Sequence, residues 1–147
     1  MLVIEALKGK TFEEAFTFLD ELGICLKKHE TDDRAILDYD GIRCDKRNPI
    51  VQECRGLVLD SRDWSLVARG FPRFFNYGEN TDDCKFDWNS FICHEKVDGS
   101  LILLYFYDGG WHVNTRFSFG NLPINNSTYT WRSLVLEILG DKIKYLD

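Results

Sequence analysis

Leu101-Ile102-Leu103-Leu104-Tyr105-Phe106-Tyr107-Asp108-Gly109-Gly110-Trp111-His112-Val113-Asn114-Thr115 decides the fold class of this 147-residue chain. Two runs rich in β-branched and aromatic residues, Leu101 to Tyr107 and Trp111 to Thr115, flank Asp108-Gly109-Gly110. Asp-Gly between two such runs is the strongest short-range hairpin signal, because both residues tolerate positive φ. Further strand-like runs precede it at Ile24 to Lys28, Ala35 to Tyr39, Gly56 to Leu59, Leu66 to Ala68 and Phe91 to Glu95. Helical signals lie near each end. Thr11-Phe12-Glu13-Glu14 reads as a capping box, followed by Phe12, Ala15, Phe16, Leu19 and Leu22 at helical spacing and closed by Gly23. Trp131, Leu134, Val135, Ile138 and Leu139 mark a second amphipathic helix ended by Gly140. Short strands with two helices predict an α+β domain built on antiparallel sheet, one domain over 1–147.

Composition narrows the class. The chain is 44% apolar and 29% charged, as in ordinary globular proteins. No apolar run approaches the ~20 residues that cross a bilayer, and Met1-Leu2-Val3-Ile4-Glu5 is too short and too acidic for a signal peptide. Five cysteines (Cys25, Cys44, Cys54, Cys84, Cys93) show no CxxC pair and no metal-ligand spacing, which predicts reduced thiols and a cytoplasmic protein. A formal charge of -6 argues against broad coating of nucleic acid. The charge is segregated, however. Arg43, Lys46, Arg47, Arg55, Arg62, Arg69 and Arg73 share one stretch, while Asp82, Asp83 and Asp87 share another. His94 and His112 have no ligand-spaced partners and are read as structural or solvated, Glu79 with Asp82 and Asp83 as a solvated loop, and no residue is singled out as a metal ligand.

The chemistry centres on Lys96-Val97-Asp98-Gly99, of the form Lys-x-Asp-Gly. A lysine amine, when deprotonated, is a nucleophile for the α-phosphorus of a nucleoside triphosphate. Gly99 lets the backbone turn tightly and a ligand come close. Asp98 can order the turn or hydrogen-bond a ribose hydroxyl. The tetrapeptide alone is weakly specific, but it stands in an ordered set. Glu53-Cys54-Arg55-Gly56-Leu57-Val58-Leu59 and Arg73-Phe74-Phe75-Asn76 precede it, Glu95 and Ser100-Leu101 flank it, and Asn114-Thr115-Arg116-Phe117-Ser118-Phe119 follows.

This set resembles the phage-type ATP-dependent RNA ligase family, of the kind that repairs broken tRNA, over roughly Tyr39 to Phe119. The resemblance implies the front part of a nucleotidyltransferase (adenylation) domain. It implies Lys96 as the residue that forms lysyl-AMP, with Glu95, Asp98 and Gly99 shaping the nucleotide pocket. Arg55 and Arg73 match phosphate-facing positions, where a planar guanidinium can grip two oxygens at once. Phe75 or Phe74 would lie beneath the nucleotide, one ring functional and the other core, and Arg116 would meet a phosphate or the RNA 5′ end. ATP and Mg2+ are the implied cofactors, and RNA ends, among them nicked tRNA, the implied partners. Arg73 stands where the family also uses lysine, and Phe117 stands where the related segment has glycine. The Glu-Cys-Arg-Gly and Phe-Phe-Asn blocks favour RNA ligase over capping guanylyltransferases and DNA ligases. In the family, the metal-organising carboxylates and a late Lys-x-Lys pair lie well downstream of the Thr-Arg segment, and the sequence is expected to end before them. Two readings therefore stand: an adenylating ligase, alone or as part of a longer one, or a non-catalytic remnant that binds nucleotide or RNA ends.

Overall fold

The structure, a computed structural model, describes residues 1–79, 87–125 and 127–146. The chain runs α1 (Leu2–Leu7), α2 (Phe12–Glu21), β1 (Ile24–Lys28), β2 (Arg34–Tyr39), α3 (Pro49–Glu53), β3 (Arg55–Asp60), β4 (Leu66–Ala68), β5 (Leu103–Tyr107), β6 (Gly110–Asn114) and α4 (Trp131–Leu139), with a final 3-10 turn over Gly140–Tyr145. Strands β1 to β4 form an antiparallel meander, and β5 pairs with β6 in a separate two-stranded ribbon. The expected α+β class on antiparallel sheet is what the molecule adopts.

Local signals set several of these elements. The Thr11 capping box forms, with the Glu14 amide donating to Thr11 Oγ1 at 3.3 Å and the Thr11 amide to Glu14 Oε2 at 2.8 Å. Two orphan donors at the start of α2 are thereby satisfied. Ala15 and Leu19 are buried as the spacing predicts, but Phe16 faces outward and Phe18 packs on the core in its place. The hairpin turn has Asp108 at φ 45 and Gly109 at φ 78, the two positive angles a type I′ loop requires. Gly110 consequently joins β6, opposite Tyr107. Thr130 caps α4, its Oγ1 accepting from the Ser133 amide at 3.0 Å.

Alternation along β2 divides the molecule into layers. Ala35, Leu37 and Tyr39 join Leu57 and Leu59 in a core covered by Val3 and Leu7 of α1, Ala15 and Leu19 of α2 and Val51 of α3. Ile36 and Val58 face the other way and pack with Ala68, Tyr105 and Phe119. The four-stranded sheet is thus sandwiched between short helices and the β5–β6 ribbon, so every residue of β2 is buried, Arg34 and Asp38 included.

Buried polar groups in such a sandwich need partners. Arg34 donates from NH2 to Asp32 Oδ2 at 2.6 Å and from NH1 to the Tyr105 hydroxyl at 2.9 Å. Its guanidinium also lies 5.3 to 5.9 Å from the ring centres of Phe119, Tyr107 and Tyr105, within cation–π range. Tyr105 passes a hydrogen bond on to Asn114 Oδ1 at 2.7 Å. One buried arginine therefore ties the ribbon to the sheet.

Two expectations are corrected here. Phe91 to Glu95 is not a strand: among the described residues no neighbouring edge pairs with it, and its side chains are exposed. Apolar and β-branched content makes a strand only where a partner takes up the backbone N–H and C=O groups. The helices α1 and α3 were not anticipated. Helix α1 has no side-chain cap of its own; Glu53 supplies it from a distance, its carboxylate accepting from the amides of Leu2 at 3.1 Å and Val3 at 2.9 Å.

Candidate functional site

The Glu-Cys-Arg-Gly block is built around a β-bulge. Leu37 pairs with Leu57 and Asp38 with Arg55, so Gly56 is an extra residue in β3. It sits at φ +66, and a Cβ there would lie 3.0 Å from Arg116 Cα and 3.1 Å from the Arg116 carbonyl oxygen. Only glycine combines that backbone angle with that approach. Released from the ladder, the Gly56 amide donates to Asp38 Oδ1 at 3.2 Å. Glu53 caps α1 as described, and Cys54 is fully buried. Burial, helped by the charges of Glu53 and Asp38, pushes the Cys54 thiol far above its ordinary value, which makes it inert. Arg55 of this block turns to the surface, its guanidinium 4.9 Å from the centre of the Phe74 ring.

Lys96 lies in an irregular stretch before β5, its side chain 77% exposed, with Nζ 3.4 Å from Asp98 Oδ1. Gly99 adopts φ +146 and has open space where a Cβ would stand. Lys96, Glu95 and Gly99 share an open groove of about 450 Å³ with Arg55, Phe74 and Leu101. His94 stands on the wall of the same groove. The structure thus brings Arg55 together with the Lys-x-Asp-Gly turn, residues some forty positions apart in sequence. Asp98 is fully exposed and is joined to the group through its contact with Lys96.

Arg73 and Arg116 lie elsewhere. They line a cleft of about 510 Å³ with Tyr39, Lys46, Asp38 and Phe117. Arg73 donates from NH1 to the Tyr39 hydroxyl at 3.0 Å and from NH2 to Glu79 Oε1 at 2.8 Å. Glu79, exposed in a turn as expected, is also the ion-pair partner of Arg73, while Asp82, Asp83 and Cys84 lie outside the described residues. Phe75 packs against the Arg73 guanidinium at 4.7 Å, so Phe74 is the ring of this pair that faces the Lys96 groove. A third cleft, of about 290 Å³, is lined by Ser100, Leu101, Thr115, Arg116, Phe117 and Trp131. It shares Leu101 with the first cleft and Arg116 with the second. The three clefts are therefore neighbours between Lys96 and Arg73, with Arg116 lining two of them.

Asp38 was missed in the sequence, although a carboxylate inside the apolar run Ala35-Ile36-Leu37-Asp38-Tyr39 is a readable anomaly. Its side chain is 5% exposed and pairs with Arg116, Nε to Oδ1, at 2.8 Å. Burial outweighs the pull of Arg116 and raises the carboxyl above its usual range. Glu95 and Phe117 are exposed, and Phe117 lies against the Arg116 guanidinium at 4.6 Å. The side chain at the position where the related segment has glycine thus contacts Arg116, as does the Tyr39 ring, 4.6 Å away. His112 is structural: its Nε2 meets the Tyr107 carbonyl at 3.1 Å, and burial lowers its proton affinity. Among the described residues no three His, Cys, Asp or Glu side chains gather as a metal site, and no helix is long and apolar enough to cross a membrane.

Comparison with known proteins finds relatives described as RNA ligases. A protein of Autographa californica nuclear polyhedrosis virus, described as a bifunctional polynucleotide kinase/RNA ligase, is 37% identical over 129 residues, which is 82% of this chain and 19% of that protein. A protein of Thermovibrio ammonificans described as an RNA ligase is 32% identical over 78 residues, 52% of this chain and 20% of that one. The chain spans about a fifth of the length of these curated relatives. No solved structure matches it. The family model described as RNA ligase matches residues 53–143, from the Glu-Cys-Arg-Gly block through α4. The chain belongs to the phage-type RNA ligase family.

Proposed function

We propose that this chain carries the nucleotide-charging part of an ATP-dependent RNA ligase, with Lys96 as the adenylylated residue. The observation that carries the reading is the position of the Lys96 amine, open to solvent in a groove walled by Arg55 and Phe74. In the first step unprotonated Nζ attacks the α-phosphorus of ATP. The N–P bond forms as the bond from that phosphorus to the β-bridging oxygen breaks, pyrophosphate leaves, and the amine gives up its proton to solvent. Arg55 is placed to grip phosphate oxygens, and the Phe74 ring that supports it offers a face to the nucleotide. Asp98, fully exposed and 3.4 Å from Nζ, is available to a ribose hydroxyl.

AMP then passes to an RNA 5′-phosphate, and attack by a 3′-hydroxyl seals the ends and expels AMP. Arg116 and Arg73, in a cleft apart from the Lys96 groove, suit the phosphate of an RNA end. A divalent cation, Mg2+ by preference, would neutralise charge on the departing pyrophosphate. The described residues form no cage for it, and none is assigned to it. Nicked tRNA is the substrate this reading favours, in a cytoplasm that supplies ATP and keeps the thiols reduced. A second reading, a protein that binds nucleotide or RNA ends without charging itself, is favoured by the separation of Arg73 from the Lys96 groove.

The test is intact-mass measurement after incubation with ATP and Mg2+, beside Lys96→Ala. One added AMP, absent in the variant, is expected. An adduct of the same size in Lys96→Ala would move the nucleophile elsewhere. No adduct in either protein, with ATP binding retained, would leave the second reading in possession.

A further inference from the structure

Asp38 and Arg116 meet in an unusual way for a buried ion pair. A pair that serves cohesion alone gains most from two parallel N–H···O bonds. Here a single nitrogen, Nε, binds Asp38 Oδ1 at 2.8 Å. The same oxygen takes the Gly56 amide at 3.2 Å, while Asp38 Oδ2 is buried without a partner. The two terminal amino groups of Arg116 make no hydrogen bond or ion pair among the described residues. Its side chain is 27% exposed and its guanidinium lies 4.6 Å from the centres of both the Tyr39 and the Phe117 rings. Three contacts therefore hold the guanidinium in place, its terminal amino groups left over, in a residue that lines the cleft with Lys46 and Arg73 and also the neighbouring one. Arg73 differs, since its outer nitrogens already bind Tyr39 and Glu79.

We propose that Asp38 is a positioning residue: by holding Arg116 through Nε it presents the two terminal amino groups as a preset fork for a phosphate group in the Tyr39–Lys46–Arg73 cleft. The role rests on the reading of the chain as one that handles nucleotide or RNA-end phosphates. A preset fork spares the ordering of a long, rotamer-rich side chain at the moment of binding. It also explains why a carboxylate is tolerated in a strand buried on both faces, where an unpaired one would be expelled.

The test uses the whole chain with 15N-labelled arginine and inorganic tripolyphosphate as the probe. The Arg116 Nε–H signal is identified by its loss in Arg116→Lys. In the wild-type chain this proton should exchange slowly and shift as tripolyphosphate is added. In Asp38→Ala its protection should vanish and the dissociation constant should rise roughly tenfold, the scale of immobilising one such side chain. Asp38→Asn keeps an oxygen for both Nε and the Gly56 amide, so it should keep the protection and bind within about threefold of wild type. This conservative rescue separates positioning from a loss of fold. Wild-type affinity in Asp38→Ala, or tripolyphosphate binding that leaves Arg116 unmoved, or no binding by the wild-type chain, would each overturn the role. A chain that binds tripolyphosphate through Arg116 yet never acquires AMP sinks the adenylylation reading and leaves the role of Asp38 standing.

Discussion

Gly56→Ala probes the junction on which the site depends. Gly56 has φ +66, and an added Cβ would stand 3.0 Å from Arg116 Cα and 3.1 Å from its carbonyl oxygen. An L-residue in the left-handed region costs about 1 kcal/mol. The obstructing atoms are backbone, so relief requires the Thr115–Phe117 turn to shift, at about 1–3 kcal/mol more by analogy with overpacking. The sum is about 2–4 kcal/mol, a large share of the 5–15 kcal/mol that holds a typical domain together. Gly9→Ala is the comparator: φ is +76 and nothing lies within 4 Å of the added methyl. It should cost about 1 kcal/mol, offset in both variants by the reduced freedom of the unfolded chain. Urea unfolding of both, with unchanged slopes, gives the difference. Equal losses would refute the argument, because the close approach of β3 to Arg116 would then contribute nothing.

Three other expectations follow from buried groups. Arg34→Ala removes the ion pair to Asp32, the bond to Tyr105 and the contact with three rings, and should cost about 3–4 kcal/mol; Arg34→Met, which keeps the stem, should cost less, and equal losses by urea unfolding would argue against a packing role. Asp60, held by Arg62 and by the Tyr107 hydroxyl, has its pKa lowered to about 2. A depressed carboxyl contributes stability that is present above about pH 4 and lost as pH falls toward 2, here about 1–2 kcal/mol given the exposed Arg62; Asp60→Asn should flatten that limb of a pH series of melting temperatures, and an unchanged limb would refute the assignment. Native thiol labelling read by mass spectrometry should modify Cys25 and Cys93, which are exposed, and spare Cys54 until the chain unfolds. Modification of Cys54 in the folded chain would contradict its burial.

Local chemistry wrote much of this molecule into the sequence. The Thr11 capping box, the Asp108-Gly109 turn and the apolar stripe of α4 act within a few residues, so their signals survive without tertiary information. The ordered blocks from Glu53 to Phe119 sufficed to name the family, because the order of side-chain types along a chain does not depend on how it folds. Helix α3 was missed although Asn48-Pro49, a cap followed by proline at the first helical position, is such a local signal; its cap bond from the Ile50 amide is 2.9 Å long.

What the tertiary structure decided are the relations between distant residues. Phe91 to Glu95 has the composition of a strand and lacks a partner, and no local feature reveals whether an edge will be there to pair. Helix α1 is capped by Glu53, so the residue that starts it lies outside any local window. The buried face of β2 carries Arg34 at one end and Asp38 at the other, and the docking of the β5–β6 ribbon and the turn after it adds the distant partners Tyr105 and Arg116. Lys96 could be singled out from its motif. The sequence could not show that Arg55 and Phe74 share its groove, or that Arg73 and Arg116 open onto a neighbouring cleft. Residue types specify which chemistry is available; the distances that let those groups act together arise when the layers close.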